Sequence, residues 1–290
     1  MNKLEYFKRI CYRGSTEKAN MDTLTAIFQH HIKAIPFENA SGYCGETVFL
    51  DFEAIFEKLV MKKRGGCCWE HNFLFYWIIK EMGYAVTLIG GNFYIPELEI
   101  YSINISHPML TVVVDGTTYL LDAGAGLGYQ MWQPIEVVSG MVDHQIPGTF
   151  CLTEKRGLWY LDKTERYQHN PSMQNSGTEG EETCIHILFF TLKPRSMGFF
   201  QPVCTYLQSC EDFILSSNLL CSIQLPGGYF GLFNNKLTKV TYNFKENMDL
   251  IEVIILKDEE FEKALVEKIT INLENNFFFV KKERKKSHLV

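Results

Sequence analysis

The chain has 290 residues, 46% hydrophobic and 21% charged, with a formal net charge of -6. That length allows a large core in two or three layers, and that composition excludes a disordered polymer. The acidic balance disfavours a general nucleic-acid surface, and no apolar run approaches the roughly 20 residues that a membrane helix needs.

The N-terminus, MNKLEYFKRICYRGS, carries neither a signal-peptide apolar stretch nor a glycine at position 2 for myristoylation. Nine cysteines are scattered without a CxxC pair, so a zinc ribbon is not expected. Together these features predict a reducing, cytoplasmic setting with free thiols.

The first third reads as helical. Leu24, Ile27, Phe28 and Ile32 form one stripe ended by Pro36, and Phe52, Ile55, Phe56, Leu59 and Val60 form a second behind a cap at Asp51. The third run, from about Cys68 to Met82, is apolar nearly all round and predicts a buried helix that Gly83 terminates. The pattern then changes to β-branched and aromatic runs at AVTLIGGNFYI, MLTVVVDGTTYLLD and GTFCLTEKRGLWYL, which predict antiparallel strands. Residues 171–183 read as an exposed loop. CIHILFFTLK predicts a strand, and SIQLPGGYFGLFNNKLTKVTYNF predicts hairpins turning at Pro226-Gly227-Gly228 and Asn234-Asn235. DEEFEKALVEKITI predicts an amphipathic helix before a basic tail. Helices, then antiparallel strands, then a mixed end predict an α+β fold. The division expected is 1–84 helical, 85–195 β and 196–290 an α/β lid with its tail.

The stretch KRGGCCWEHN poses the chemical question. Gly65 and Gly66 permit an unusual backbone path into a helix that starts near Cys68, where free N–H groups favour a thiolate. The competing reading is two small core fillers. A nucleophilic cysteine needs a base, and the base needs an orienting group. With Asp115-Gly116 as a two-residue hairpin loop, Val114 faces Thr117 and Met109 faces Asp122. His107 then projects from the same face as Asp122, one pair along the ladder. A four-residue loop keeps that parity, and a three-residue loop breaks it. Cys68, His107 and Asp122 together give the layout of nucleophilic acyl transfer.

RGGCCWEHN resembles the R-G-G-x-C-x-E-x-N signature of the arylamine N-acetyltransferases. The match continues in IPFEN (35–39), His107, DAGAGLGYQMWQP (122–134), FTLKPR (190–195) and TYLQ (205–208), and it is closest to the vertebrate cytosolic enzymes. The resemblance implies a helical bundle, an antiparallel β-barrel-like middle and an α/β lid around a cysteine-protease-like core. It implies that Cys68 carries an acetyl group from acetyl-coenzyme A to an arylamine or arylhydrazine, or to the oxygen of an N-hydroxyarylamine, in xenobiotic metabolism. His107 would be the base and Asp122 its partner. It places Ile103, Asn104, Gly124, Tyr206 and Ser287 along the cofactor, although family members often carry Thr-Gly at positions 103–104. It places Phe37, Phe93, Ser106 and Leu127, with Ala125 and Tyr129, around the substrate. Arg64 and Glu38 are expected to pair beneath the site, with Glu70 and Asn72 as supports. Cys67 departs from the family pattern. A monomer without metal, membrane or nucleic-acid partners is expected. A Cys-His-Asp hydrolase and a catalytically silent relative are the alternatives.

Overall fold

The structure is a computed structural model that describes residues 1–43, 46–170, 183–210 and 213–271. Asn2 caps the first helix, α1 (Lys3–Arg9), by accepting the Leu4 and Glu5 N–H groups. Asn20 does the same for α2 (Met21–Ala34), which buries the expected stripe and adds His31 to it. After Pro36 the chain extends as β1 (Phe37–Glu38) and makes the short α3 (Ala40–Tyr43). Asp51 caps α4 (Phe52–Phe56), but the run expected as one helix changes pitch. Residues Glu57–Met61 form a π turn, with the Lys62 N–H on the Glu57 carbonyl at 2.8 Å. The wider turn lets the consecutive residues Leu59 and Val60 both enter the core.

The helix α5 (Cys68–Glu81) is buried almost all round, as its composition predicts, and Gly83 ends it at φ +89°. Next come β2 (Ala85–Ile95), β3 (Ile100–Tyr101), β4 (His107–Val114), β5 (Thr117–Leu121) and β6 (Ile135–Glu136). They are followed by β7 (Met141–Gln145), β8 (Gly148–Lys155), β9 (Leu158–Glu165), β10 (Tyr167–His169) and β11 (Thr183–Thr191). All but β10 join one antiparallel sheet in the order β6-β5-β4-β2-β11-β9-β8-β7, with β3 on β2. Its two ends approach each other. The Gln145 side chain in β7 accepts the Trp132 and Gln133 N–H groups and returns a bond to the Gln133 carbonyl. The sheet is therefore a nearly closed barrel, and the α+β expectation holds.

The last part contains α6 (Met197–Ser209), α7 (Ile214–Ser217), β12 (Leu220–Leu225), β13 (Gly228–Phe233), β14 (Lys236–Thr241), β15 (Met248–Ile255) and α8 (Asp258–Ile269). Its sheet runs β1-β12-β13-β14-β15-β10. It thus takes one strand from each preceding part of the chain. α8 buries Ala264, Leu265 and Ile269 over a small second core, whereas Phe200, Cys204 and Leu207 of α6 belong to the main one. Most of the polar stretch 171–183 and the whole basic tail lie outside the described residues, as does Ser287. Among the described residues no helix is long and apolar enough to cross a membrane, and no cluster of metal-ligating side chains is found.

Candidate active site

The turn before Cys68 is built on close backbone approach. Phe37 bridges Gly66: the Glu38 N–H donates to the Gly66 carbonyl at 2.8 Å, and the Gly66 N–H to the Pro36 carbonyl at 3.2 Å. A Cβ on Gly65 would lie 2.2 Å from the Pro36 oxygen, so only glycine fits. Cys67 then takes the cap position of α5, and its N–H donates to Glu70 Oε2 at 2.9 Å. Lys58 neutralises Glu70 at 2.8 Å, and the expected Arg64–Glu38 pair forms at 2.8 Å. Cys68 is therefore the first residue of α5, as the sequence predicts.

The hairpin also forms as counted. Val114 pairs with Thr117, and Asp115 and Gly116 both take positive φ, at +50° and +82°, as a type I′ turn requires. The last ladder pair is Leu110–Leu121, and just beyond it His107 and Asp122 meet, Nε2 to Oδ2, at 2.5 Å. Asp122 Oδ1 accepts the Asn72 side-chain amide and the Gly124 N–H, each at 2.9 Å. Asn72 lies one turn after Cys68 and ties the elements together. Its Nδ2 also reaches the Cys68 carbonyl at 3.2 Å and the Pro108 carbonyl at 2.8 Å, and its Oδ1 accepts the Ala123 N–H. A Cβ on Gly124 would lie 2.6 Å from Cys68 Cα, so the segment after Asp122 runs directly against the first turn of α5.

His107 is 1% exposed, Asp122 2% and Cys68 8%. Since Nε2 donates to the carboxylate, Nδ1 is the nitrogen left to act as a base, and it is buried without a hydrogen-bond partner. No hydrogen bond joins it to Cys68 in this geometry. Phe93 packs edge-on against the imidazole, with ring centres 4.5 Å apart.

Burial alone would raise the Asp122 carboxyl, but His107, Asn72 and the Gly124 N–H together hold it below the ordinary aspartate range. Cys68 departs from the expectation of a thiolate. A hydrogen bond with the Cys67 thiol pushes it well above the ordinary thiol range, burial adds to this, and repulsion from Cys67 and Asp122 adds further. The helix-end effect is outweighed by the neighbouring Cys67 thiol and by burial.

Phe37 and Leu127 line a small cavity of about 20 Å³, together with Ala125, His71, Ser222 and Tyr229. Cys68 and His107 are not in its walls, and Phe93 lies on the His107 side instead. Ser106 is half-buried, and its carbonyl accepts the Trp69 indole N–H at 2.7 Å. Among the residues assigned to the cofactor, Gly124 is buried against Cys68. Ile103 (93% exposed), Asn104 and Tyr206 (58% exposed) stand on the surface. Asn92 holds the loop carrying the first two by bonding the Ser102 and Ile103 carbonyls.

One group of residues escaped the sequence reading. His31 lies on the buried stripe of α2, four positions after Ile27 and three after Phe28, which was the signal for it. Its Nδ1 meets the Tyr6 hydroxyl at 2.8 Å, its Nε2 meets His71 Nδ1 at 3.0 Å, and His71 Nε2 meets the Pro36 carbonyl at 3.0 Å.

The class follows from comparison with known proteins. The family model described as N-acetyltransferase matches residues 20–278. The fold is shared with the arylamine N-acetyltransferase of Mycobacterium smegmatis, at 25% identity and a TM-score of 0.81 over 94% of this chain and 93% of that one. It is shared equally with a Mycobacterium marinum arylamine N-acetyltransferase solved in complex with CoA, at 22% identity and a TM-score of 0.80 over 94% of each chain. The chain is 46% identical to the chicken pineal gland isozyme NAT-3 over 279 residues, 96% of each protein. It is 41% identical to human arylamine N-acetyltransferase 2 over 273 residues, covering 93% of this chain and 94% of the relative. The chain belongs to the arylamine N-acetyltransferase family and is an enzyme of that family.

Proposed function

We propose that this enzyme acetylates arylamines with acetyl-coenzyme A in two half-reactions through an acetyl-Cys68 intermediate. The observation that carries the reading is His107: a buried imidazole bound to Asp122 through Nε2, with Nδ1 open, one asparagine away from the first turn of α5.

In the first half-reaction a small approach of Cys68 Sγ to His107 Nδ1 lets the imidazole take the thiol proton as the sulfur attacks the thioester carbonyl. Asp122 stabilises the imidazolium. Backbone N–H groups at the start of α5 are the natural donors to the oxyanion. Collapse expels coenzyme A, which takes the proton from His107, and leaves acetyl-Cys68. In the second, the neutral aromatic amine attacks the acetyl carbon, His107 accepts its proton, and the Cys68 thiol is regenerated when that proton returns. Water competes at this stage, and the apolar side chains of Phe37 and Leu127 on one side and Phe93 on the His107 side suit a flat ring while limiting hydrolysis. Arylhydrazines, and the oxygen of N-hydroxyarylamines, fit the same chemistry. The CoA complex of the M. marinum relative supports coenzyme A as the acyl carrier's source. Ile103, Asn104, Gly124 and Tyr206 are proposed to contact it, and Ser106 to touch the acceptor. A cytoplasmic monomer active on foreign amines completes the reading.

The test is a trapped intermediate. Acetyl-coenzyme A should add one acetyl group to the peptide containing Cys68, and an arylamine should discharge it with equivalent N-acetyl product. Turnover that survives Cys68→Ala, or amide cleavage without acetylation of Cys68, would sink the proposal and favour a hydrolase.

A further inference from the structure

The chain of Tyr6, His31 and His71 has only one consistent arrangement of protons. The Pro36 carbonyl can only accept, so His71 Nε2 carries a hydrogen. A neutral His71 then accepts at Nδ1, so His31 Nε2 donates to it. His31 Nδ1 must in turn accept from the Tyr6 hydroxyl. Both rings are neutral in the fold. Burial lowers His71 to about 4, and burial with the neighbouring His71 and Arg9 lowers His31 well below the ordinary range. Each bond runs the same way, from α1 through α2 and α5 to the backbone ahead of Phe37.

What the chain holds in place is specific. The Pro36 oxygen that receives His71 also receives the Gly66 N–H. The Phe37 ring lies nearly parallel to the His71 ring, at 10° and 6.4 Å between centres, and both line the same cavity. With both nitrogens engaged, His71 has no proton to exchange with a ligand and offers only its ring.

We propose that His31 and His71 are positioning residues for the acceptor wall. They fix the Pro36 carbonyl and the Phe37 ring, and so set affinity for the aromatic amine without serving the acetyl-donor step. This rests on the reading of Phe37 as part of the acceptor site.

The two half-reactions separate the outcomes. His31→Leu, which can neither donate to His71 nor accept from Tyr6, should raise the acceptor KM about tenfold, while acetyl-Cys68 forms within about twofold of the wild-type rate. His31→Gln, whose amide supplies both a donor and an acceptor, should bring KM back to within about threefold of wild type. Three results overturn the inference: an unchanged acceptor KM in His31→Leu, equal damage in both variants, or a donor half-reaction that falls in step with the acceptor half. If His31→Leu does not fold, Tyr6→Phe, which removes one hydroxyl, should raise KM about threefold, and no rise overturns the inference. Wild-type protein that forms no acetyl-Cys68 removes the functional reading and this one together. Wild-type turnover with an unaltered KM in the variants removes this one alone.

Discussion

Two buried imidazoles flank the segment that follows Asp122, and they are equally hidden, each 1% exposed. On one side, Gly124 presses against Cys68 next to the His107–Asp122 pair. On the other, Ala123 and Ala125 share a cavity with His71. His107 has one nitrogen on a charged carboxylate and the other unpaired, whereas His71 has both nitrogens on uncharged partners. Burial does not separate the base proposed for His107 from the positioning role proposed for His71. The difference lies in which nitrogen is left over, and in whether the partner can stabilise an imidazolium.

The sharpest way to break this contrast is to remove the charge on one side and the ring on the other. Asp122→Asn keeps the size but loses stabilisation of the imidazolium, and should cut kcat/KM by roughly 10³–10⁴. His71→Gln should cost about tenfold or less in steady-state assays of the same acceptor. Comparable losses would erase the distinction.

A smaller effect is expected at the sulfur. The Cys67 thiol is the leading reason that Cys68 is pushed up, so Cys67→Ala should bring Cys68 back toward the ordinary thiol value near 8.5. Alkylation of Cys68 by iodoacetamide at pH 7.5, followed by peptide mapping, should then speed up about threefold to tenfold. An unchanged or slower rate would show that Cys67 does not suppress the thiolate.

The smallest effect is in acid stability, and it belongs to the His71 side. His71 falls to about 4 when folded, against roughly 6.5 for an unfolded histidine. Between those values the unfolded chain binds a proton that the folded one refuses. Stability is therefore intact above about pH 6.5 and lost as pH falls toward 4. At pH 5.5 His71 should cost about 1 kcal/mol, or a few degrees in melting temperature, and His31 is lowered in the same direction. His31→Gln should flatten that slope. Asp122 is depressed instead, so its contribution is intact above the ordinary aspartate range and is lost as pH falls through that range toward its lowered folded value.

What could be read from the sequence was local. The twofold parity of a strand and an Asp-Gly turn were enough to bring His107 opposite Asp122, and two glycines ahead of an apolar run were enough to start a helix at Cys68. What stayed hidden depends on how elements dock. The three-way tie at Asn72 needs the angle between α5 and the hairpin, and the His31–His71 contact needs α2 laid against α5. The state of the sulfur turns on the orientation of one neighbouring thiol. The borrowing of β1 and β10 by the last sheet has no local signature at all.

That borrowing has a temporal consequence. β1, which braces the turn ahead of Cys68, pairs with β12, and the Leu220 N–H reaches back across 181 residues to the Asn39 side chain. Synthesis delivers Cys68 early and its buttress late. A chain still emerging from the ribosome therefore carries Cys68 without the finished frame around it, and competence arrives only after most of the protein has been made.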